Sequence, residues 1–363
     1  MLTPKLKRNI AQVLPFGIIW LMFGVIFLVV ESAATNGFDH IPSGVIRLDY
    51  KVFIFAMLAV TTIGLIIGTI ESLFLNRYFA KSSFLKKIIG KLIIYSIFLF
   101  VVIGITFPIA ASIELDTSVF DNAVWNKYFD YLNSITFMST SFQMAISLGA
   151  SLFYAEISEN IGQGILLNFF SGKYHTPKEE NRIFMFLDMK SSTTIAEKLG
   201  HIKYFELLKE YYNNLSKAVI EYSGEIYQYI GDEMVISWKL EKGIKNNNCI
   251  KCFFAMKEDL KGRQDWYQKK FGLSPNFKAG FHYGQVSIGE IGSIKKEIIF
   301  TGDVLNSTAR IQTLCNPHNV DVLISEDLIK ILDVGDDFQI KTLGKNELRG
   351  KLETMELYTI SKI

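Results

Sequence analysis

Four long apolar stretches in the first 160 residues constrain this chain more than any other feature. A helix needs about 20 predominantly apolar residues to cross the hydrocarbon core of a bilayer, and all four approach or exceed that length. The fourth is the most polar, because serine, threonine and glutamine side chains interrupt it, so a buried amphipathic helix is the alternative for it. The sequence predicts a four-helix transmembrane domain over residues 1–155. The stretches run near residues 16–34, 52–75, 92–113 and 135–155.

The charges that flank these stretches predict their orientation. The segments before the first stretch and between the second and third are basic and contain no acid, whereas the last loop is mainly acidic. Cytoplasmic loops of membrane proteins carry an excess of Lys and Arg, so both basic segments and both termini are expected on the cytoplasmic side of the cell (inner) membrane. An even number of spans is then required, and four satisfies it. The basic residues are Lys5, Lys7, Arg8, Arg77, Lys81, Lys86, Lys87 and Lys91.

Two carboxylates, Glu31 and Glu71, lie near the ends of predicted spans. An acidic residue inside a membrane is a functional candidate by default. Both are close enough to the interface to be solvated, so the sequence assigns them no role. It does not identify a stimulus for the membrane domain.

The second half of the chain has the mixed charge of a soluble domain. The whole chain has a net charge of +2, which does not indicate a surface for nucleic acid or another polyanion. The three cysteines, Cys249, Cys252 and Cys315, all lie in this half. An odd number in a cytosolic segment predicts reduced thiols rather than a disulfide framework.

A helix-compatible segment, residues 156–177, joins the two halves. Ile157, Ile161, Ile165 and Phe169 recur every four residues and form an apolar stripe. Two such helices in a parallel dimer would transmit motion from membrane to soluble domain, and a solvated spacer is the alternative. Gly and Pro residues between 171 and 177 then end the helix.

Residues 178–363 alternate strand-like and helix-like segments, which predicts an α+β domain with a central, mainly antiparallel sheet flanked by helices. An amphipathic helix is expected from about residue 205 to 219, and a second from about 250 to 270. A further helix opens near Asp303. The predicted strands are 182–189, two within 225–238 that are broken at Gly231-Asp232, two between 277 and 292, and 297–301.

Two of these segments carry residues suited to nucleotide and metal chemistry. Asp188 ends a buried strand and is followed by Ser191, Ser192 and Thr193 at the start of a helix. A carboxylate there can bind a hard cation, and the first amides of the helix can bind phosphate oxygens, although aspartate also serves there as a helix cap. Asp232 lies in a tight turn between two strands, which alone could be a plain hairpin turn.

Five motifs in this order and spacing resemble the catalytic domain of class III adenylate and guanylate cyclases, over residues 178–361. Any one of them could arise by chance, but five in order could hardly do so. The motifs are FLDMKSST (186–193), GEIYQYIGDE (224–233), GFHYGQVSIGEIG (280–292), FTGDVLNSTARIQ (300–312) and LRGK (348–351).

The resemblance implies a two-metal site. Asp188 and Asp232, helped by the backbone carbonyl of Met189, would together hold two Mg²⁺ or Mn²⁺ ions per site. One ion would lower the pKa of the ribose 3′-hydroxyl, and the other would bind the triphosphate. The attack on the α-phosphorus is intramolecular, so catalysis would rest on positioning and charge neutralisation.

The resemblance also assigns roles outside the metal site. Asn306 and Arg310, one helical turn apart, match the residues that orient the ribose and stabilise charge on the transferring phosphorus. Lys351 matches a lysine that holds the terminal phosphates, although Arg349 lies beside it. In the family the aspartates and the Asn-Arg helix come from different protomers. One copy of each motif therefore predicts a homodimer with shared sites.

Two positions depart from the family pattern for reading the base. Adenylate cyclases commonly have a lysine where this chain has Gln228, and an aspartate or threonine where it has Ile299. The Gln228 amide can both donate and accept, so it could pair with either purine. We expect ATP as the substrate and cyclic AMP as the product. A guanylate cyclase is the alternative, and so is a catalytically silent cyclase-like module, against which the retained aspartates, Asn306 and Arg310 speak.

Overall fold

The computed structural model describes residues 3–35, 44–47, 49–79, 82–161, 172–294, 296–335, 337–348 and 354–363. The contacts divide the chain into two compact units. One is Leu6–Leu167, and the other is Asn168–Ile363 together with Met1–Lys5.

The N-terminal part is helical wherever it has regular structure in the described residues. Helix α2 continues as one π-helical turn, Glu71–Leu75, and a short α-helical turn, Asn76–Tyr78. The other connections include Asp121, whose carboxylate accepts a hydrogen bond from the amide of Ala123 at the start of α4. The helices are α1 (Pro4–Thr35), α2 (Tyr50–Ile70), α3 (Phe84–Leu115), α4 (Asn122–Leu132) and α5 (Ile135–Ile161).

Within the described residues, three helical segments are long and apolar enough to cross a membrane: Pro4–Ala33, Tyr50–Leu75 and Leu85–Leu115. They correspond to the first three predicted spans. The fourth predicted span forms α5, which is 27 residues long but is interrupted by polar side chains. Two of these, Ser147 and Ser151, are fully buried. The prediction of four spans is therefore supported for three helices only.

The apolar helices expose large hydrophobic side chains outward, as a lipid environment favours. Leu58 and Ile97, for example, are both more than 60% exposed. Inside, α1 and α2 approach closely at Gly64, where an added Cβ would lie 2.8 Å from the backbone oxygen of Phe16. Small residues at such contacts let helix backbones pack directly in membranes.

Glu71 contradicts the expectation that its carboxylate is solvated, since it is 1% exposed and Lys91 is 5% exposed. Lys91 forms an ion pair with Glu71 and donates a hydrogen bond of 3.0 Å to the Asn76 side chain. The Tyr95 hydroxyl donates to the second Glu71 oxygen at 2.8 Å. The carboxylate is buried because helix α3 supplies a counter-charge and a hydrogen-bond donor. Glu31 remains half-buried.

The C-terminal unit contains a mixed, mainly antiparallel sheet of eight strands among the described residues, as predicted. Its order is β2-β3-β1-β4-β6-β8-β7, with β5 paired to β4, and β4–β6 is a parallel pair. The strands are β1 (Lys178–Met189), β2 (Glu225–Ile230), β3 (Glu233–Lys239), β4 (Phe277–Ile291), β5 (Glu297–Thr301), β6 (Val322–Ser325), β7 (Phe338–Glu347) and β8 (Thr354–Lys362).

Helices cover both faces of this sheet. Buried residues of α7 and α9 join the larger core, in which Trp238 and Tyr211 are fully buried. The opposite face carries a smaller apolar cluster, to which α11 contributes Val304. The helices are α6 (Ser192–Leu199), α7 (His201–Glu221), α8 (Leu240–Ile244), α9 (Asn248–Gly262), α10 (Gln264–Phe271), α11 (Asp303–Thr313) and α12 (Glu326–Ile329).

Two sequence predictions for this unit are wrong. The two strands expected between 277 and 292 are one long strand, β4, because β1 and then β5 pair with it continuously past Gly284. The helix expected over 250–270 is two helices, because the backbone at Arg263 leaves the helical region. The three cysteines are free and buried, and burial raises the pKa of Cys249 and Cys315 to about 12.

Candidate active site

The structure brings Asp188 and Asp232 together at one end of the sheet. Asp188 is the penultimate residue of β1 and pairs across the ladder with Glu233, the first residue of β3. Asp232 precedes Glu233 in a two-residue turn after β2, and Gly231 at that turn has a φ of +62°, which glycine adopts without strain. The two carboxyl groups are close enough for Asp232 to help raise the pKa of Asp188.

Burial and neighbouring negative charge raise the pKa values of Asp188 and Glu233 at this end of the sheet. Burial contributes most to the raised pKa of Asp188, followed by the hydrogen bond and the charge of Asp232, while Lys278 acts in the opposite direction. The pKa of Glu233 is raised to about 7 by burial and then by the two aspartates. Adjacent carboxylates disfavour each other's ionised forms, so a positive charge between them would relieve the repulsion.

The residues at this position fit a divalent cation. Asp232 Oδ2 is buried and has no hydrogen-bond partner among the described residues, so one oxygen of the pair is left to accept a ligand. Hard cations prefer such carboxylate oxygens. No group of three or more His, Cys, Asp or Glu side chains suitable for a metal occurs in the described part of the chain. A cation held by this pair would therefore need additional oxygens from the main chain or a nucleotide.

Two residues that the sequence did not single out also contact Asp188. The Lys278 ammonium and the Gln312 side-chain nitrogen each lie 3.2 Å from Asp188 Oδ2. Lys278 faces Asp188 directly across the β1–β4 ladder, and Gln312 reaches it from α11. The alternating pattern of a strand could have suggested that Lys278 points out of the larger core, but only the strand register identifies its partner.

The predicted phosphate-binding segment connects β1 to α6. It contains Met189, Ser191, Ser192 and Thr193. Met189 is buried at the end of β1. Ser191 takes a left-handed backbone conformation with φ of +56°, and α6 begins at Ser192. The first amides of α6 are thus placed one turn away from Asp188, where helix N-termini favour anions.

Asn306 and Arg310 lie on α11, on the face that points away from the core of their own chain. Asn306 is exposed and Arg310 half-exposed, whereas the opposite face of α11 is buried through Ser307, Thr308 and Ile311. No hydrogen bond or ion pair joins Asn306 or Arg310 to either aspartate within the described residues. Within the described residues, Asn306 and Arg310 thus have no direct polar contact with the aspartates of their own chain.

The residues predicted to read the base lie on two strands, β2 and β5, that do not pair but contact each other through side chains. Gln228 is exposed on β2, after a bulge at Tyr227, and Ile299 is half-buried on β5. Tyr227 and Phe300, their neighbours in sequence, pack with ring centroids 4.6 Å apart, and the Phe300 amide donates to the Tyr227 hydroxyl at 3.2 Å. Lys351 and Arg349 lie outside the described residues.

Comparison with known proteins identifies a family for this part of the chain. Residues 174–362 match the family model described as "Adenylate and Guanylate cyclase catalytic domain". The chain is 32% identical over 213 residues to Adenylate cyclase 2 of Rhizobium meliloti (strain 1021), covering 59% of each protein. It is 26% identical over 183 residues to Adenylate cyclase of Anabaena cylindrica, covering 48% of this chain and 36% of that protein.

The chain thus spans 59% and 36% of the lengths of these curated relatives. Among solved structures, a bacterial light-regulated adenylyl cyclase superposes with a TM-score of 0.53 at 20% identity, covering 61% of this chain and 65% of that one. At that identity the likeness shows a shared fold.

Proposed function

The chain belongs to the adenylate and guanylate cyclase catalytic domain family, and we propose that it is a membrane-anchored adenylate cyclase that converts ATP to 3′,5′-cyclic AMP and pyrophosphate. The observation that carries the proposal is the pair Asp188 and Asp232, in which one buried carboxylate oxygen has no hydrogen-bond partner in the part of the chain that the structure describes. A structural pair of aspartates would be expected to have its oxygens satisfied. The relatives named as adenylate cyclases support ATP over GTP.

Asp188, Asp232 and the carbonyl of Met189 are the groups that would hold two Mg²⁺ or Mn²⁺ ions. When bound, these cations supply charge neutralisation for the triphosphate and activation of the 3′-hydroxyl. The amides at Ser191, Ser192 and Thr193 bind phosphate oxygens at the start of α6. Lys278 offsets part of the carboxylate charge through its ion pair with Asp188.

Asn306 and Arg310 supply the remaining contacts to the substrate. Asn306 orients the ribose, so that its 3′-oxygen faces the α-phosphorus, and the Arg310 guanidinium stabilises the charge that builds on the phosphoryl oxygens. Lys351 holds the terminal phosphates. Because nucleophile and electrophile belong to one molecule, holding the ribose and the α-phosphate in the reactive orientation lowers the barrier.

We further propose that a homodimer is needed to complete each site. Asn306 and Arg310 are directed away from their own chain's core, whereas Asp188 lies at the end of β1 and Asp232 in the turn before β3. A two-fold dimer that docks α11 of one chain at the aspartates of its partner would create two equivalent sites.

The membrane part is proposed to contain four spans, with α5 as the fourth and both termini in the cytoplasm. The basic segments before α1 and between α2 and α3 support this orientation. Residues 156–177 would then lead directly from the inner membrane to the catalytic domain, and ATP would be taken from the cytoplasm.

Product analysis of the purified full-length protein tests the proposed reaction. With Mg²⁺ or Mn²⁺, we expect cyclic AMP from ATP and little cyclic GMP from GTP. Asp188→Ala and Asp232→Ala should each abolish turnover without loss of the fold. Asp259→Ala, which removes an exposed aspartate on α9, serves as the control with unchanged activity. Normal turnover in either site variant overturns the assignment, and cyclic GMP as the main product would make the chain a guanylate cyclase.

Co-expression tests the shared site. Asp188→Ala and Arg310→Ala chains should each be inactive alone, while a mixed dimer has one site with both aspartates and the arginine intact. Random pairing makes half of the dimers mixed, so recovery should reach at most about a quarter of wild-type activity. Absence of any recovery in demonstrably mixed dimers would contradict the shared site but not the metal assignment.

A further inference from the structure

Helix α11 has a second polar contact that none of the proposed roles uses. Gln312 is 4% exposed, and its side-chain amide donates a hydrogen bond of 3.2 Å to Asp188 Oδ2 of the same chain. Asn306 and Arg310 point outward from the same helix. We infer that Gln312 is a positioning residue for Asp188, so that each α11 serves two sites: its own through Gln312 and the partner's through Asn306 and Arg310. This inference rests on the proposed function.

The contact orients the carboxylate without adding charge. Asp188 Oδ2 accepts a hydrogen bond from Gln312 and forms an ion pair with Lys278, and the directional bond from Gln312 restricts the rotation of the carboxyl group. Lys278 contributes charge, whereas Gln312 contributes only direction. Donors that hold a metal-binding carboxylate in place typically affect metal affinity by about 10- to 100-fold.

The backbone of Gln312 is fixed by close packing against β4. A Cβ atom added at Gly280 would lie 2.4 Å from the Gln312 nitrogen and 2.7 Å from its Cα, so the helix rests directly on the strand there. Gly280 is two residues from Lys278 along β4. The approach lets the Gln312 side chain reach past the strand to Asp188 on β1.

In a dimer, the contact between Gln312 and Asp188 links the two sites. When Asn306 and Arg310 bind a nucleotide on the partner, any movement of α11 would displace Gln312. That displacement would change the position of Asp188 in the same chain as the helix. Metal binding at one site and nucleotide binding at the other would then be coupled through α11.

Metal binding tests the positioning role without relying on turnover. Mn²⁺ is titrated into purified full-length protein with 3′-deoxy-ATP, which lacks the nucleophile, and free Mn²⁺ is followed by electron paramagnetic resonance. Gln312→Met keeps the side-chain length but removes the donor, and we expect the Mn²⁺ dissociation constant to rise about tenfold. Thr308→Val is the matched control, since Thr308 is equally buried on α11 but bonds only within its helix.

An unchanged Mn²⁺ affinity in a folded Gln312→Met protein overturns the inference, and so does an equal loss in Thr308→Val. If Gln312→Met does not fold, Gln312→Asn retains a polar amide too short to reach Asp188 and should weaken Mn²⁺ binding in the same direction. Steady-state kinetics add a second readout. The Mn²⁺ concentration for half-maximal rate should rise, with a smaller change in kcat at saturating metal.

Mixed dimers decide whether Gln312 acts on its own chain. Asp188→Ala and Arg310→Ala chains, co-expressed, leave one intact site, which uses the aspartates of the Arg310→Ala chain. Adding Gln312→Met to that chain should raise the metal requirement, whereas adding it to the Asp188→Ala chain should not. The opposite pattern, or equal effects, rejects a role on the same chain. If the co-expressed Asp188→Ala and Arg310→Ala chains recover no activity, the shared site is rejected. The Mn²⁺ titration then decides whether Gln312 positions Asp188.

Discussion

The Tyr212 hydroxyl contacts the backbone on both sides of Asp232. Its hydroxyl lies 2.8 Å from the carbonyl oxygen of Gly231 and 3.3 Å from that of Glu233, the two residues that flank the aspartate. The ring packs on Tyr229 with centroids 4.5 Å apart, so β2 and helix α7 jointly fix the turn.

Tyr212→Phe should therefore loosen the turn without removing a ligand. The ring packing is retained, and the loss of the hydroxyl should lower the free energy of unfolding by about 1 kcal/mol. The Mg²⁺ concentration for half-maximal activity should rise several-fold. Tyr211→Phe is the control, because the Tyr211 hydroxyl is buried without a partner in the described residues and its removal should be neutral or stabilising. Thermal melts and metal titrations of the two variants check this, and equal behaviour would contradict it.

Gly280→Ala should disrupt the packing of α11 on β4. The added methyl group would meet the backbone of Gln312, which cannot rotate away, so we expect a loss of about 1–3 kcal/mol in stability together with reduced activity. Gly262→Ala, at the end of α9, meets nothing within 4 Å. It should be stabilising by about 0.4–1 kcal/mol. Chemical denaturation of both variants measures the difference, and a neutral Gly280→Ala would mean that the helix can shift.

Gln228→Glu should move the substrate preference toward GTP. A glutamate accepts hydrogen bonds from guanine N1 and N2 but cannot donate to adenine N1. The ratio of kcat/KM for ATP and GTP is the measurement. Gln268→Glu, on the exposed side of α10, makes the same chemical change away from the site. If the ratio is unchanged in Gln228→Glu, the base is read by other groups.

The parts of the site that could be predicted from sequence are those set by local chemistry. Asp188 at the end of an apolar strand and Gly231-Asp232 at a turn are readable because strand ends and turns have characteristic residues. Asn306 and Arg310 share a helix face because of their spacing. All four occupy the expected elements.

Contacts between distant elements could not be predicted in this way. Gln312 and Lys278 reach Asp188 only through the register of β1 against β4 and the packing of α11, neither of which leaves a local signal. The same limit explains Glu71. Its position near a span end suggested contact with water, but Lys91 and Tyr95 on another helix bury it.

The Glu71–Lys91 pair yields the last prediction, because it is an ion pair with both members almost fully buried. Lys91→Met leaves the Glu71 carboxylate without its counter-charge. Glu71→Gln leaves the Lys91 ammonium without its counter-charge. Loss of one member of a buried pair typically costs about 3–5 kcal/mol, so each single variant should melt well below wild type in detergent. The double variant Glu71→Gln/Lys91→Met removes both charges and keeps an acceptor for the Tyr95 hydroxyl. It should recover most of the lost stability, while Lys86→Met, at an exposed position, should change it little. Melting temperatures of the four variants form the test. If the double variant loses as much in melting temperature as the two single variants together, the two side chains contribute independently and the prediction is wrong.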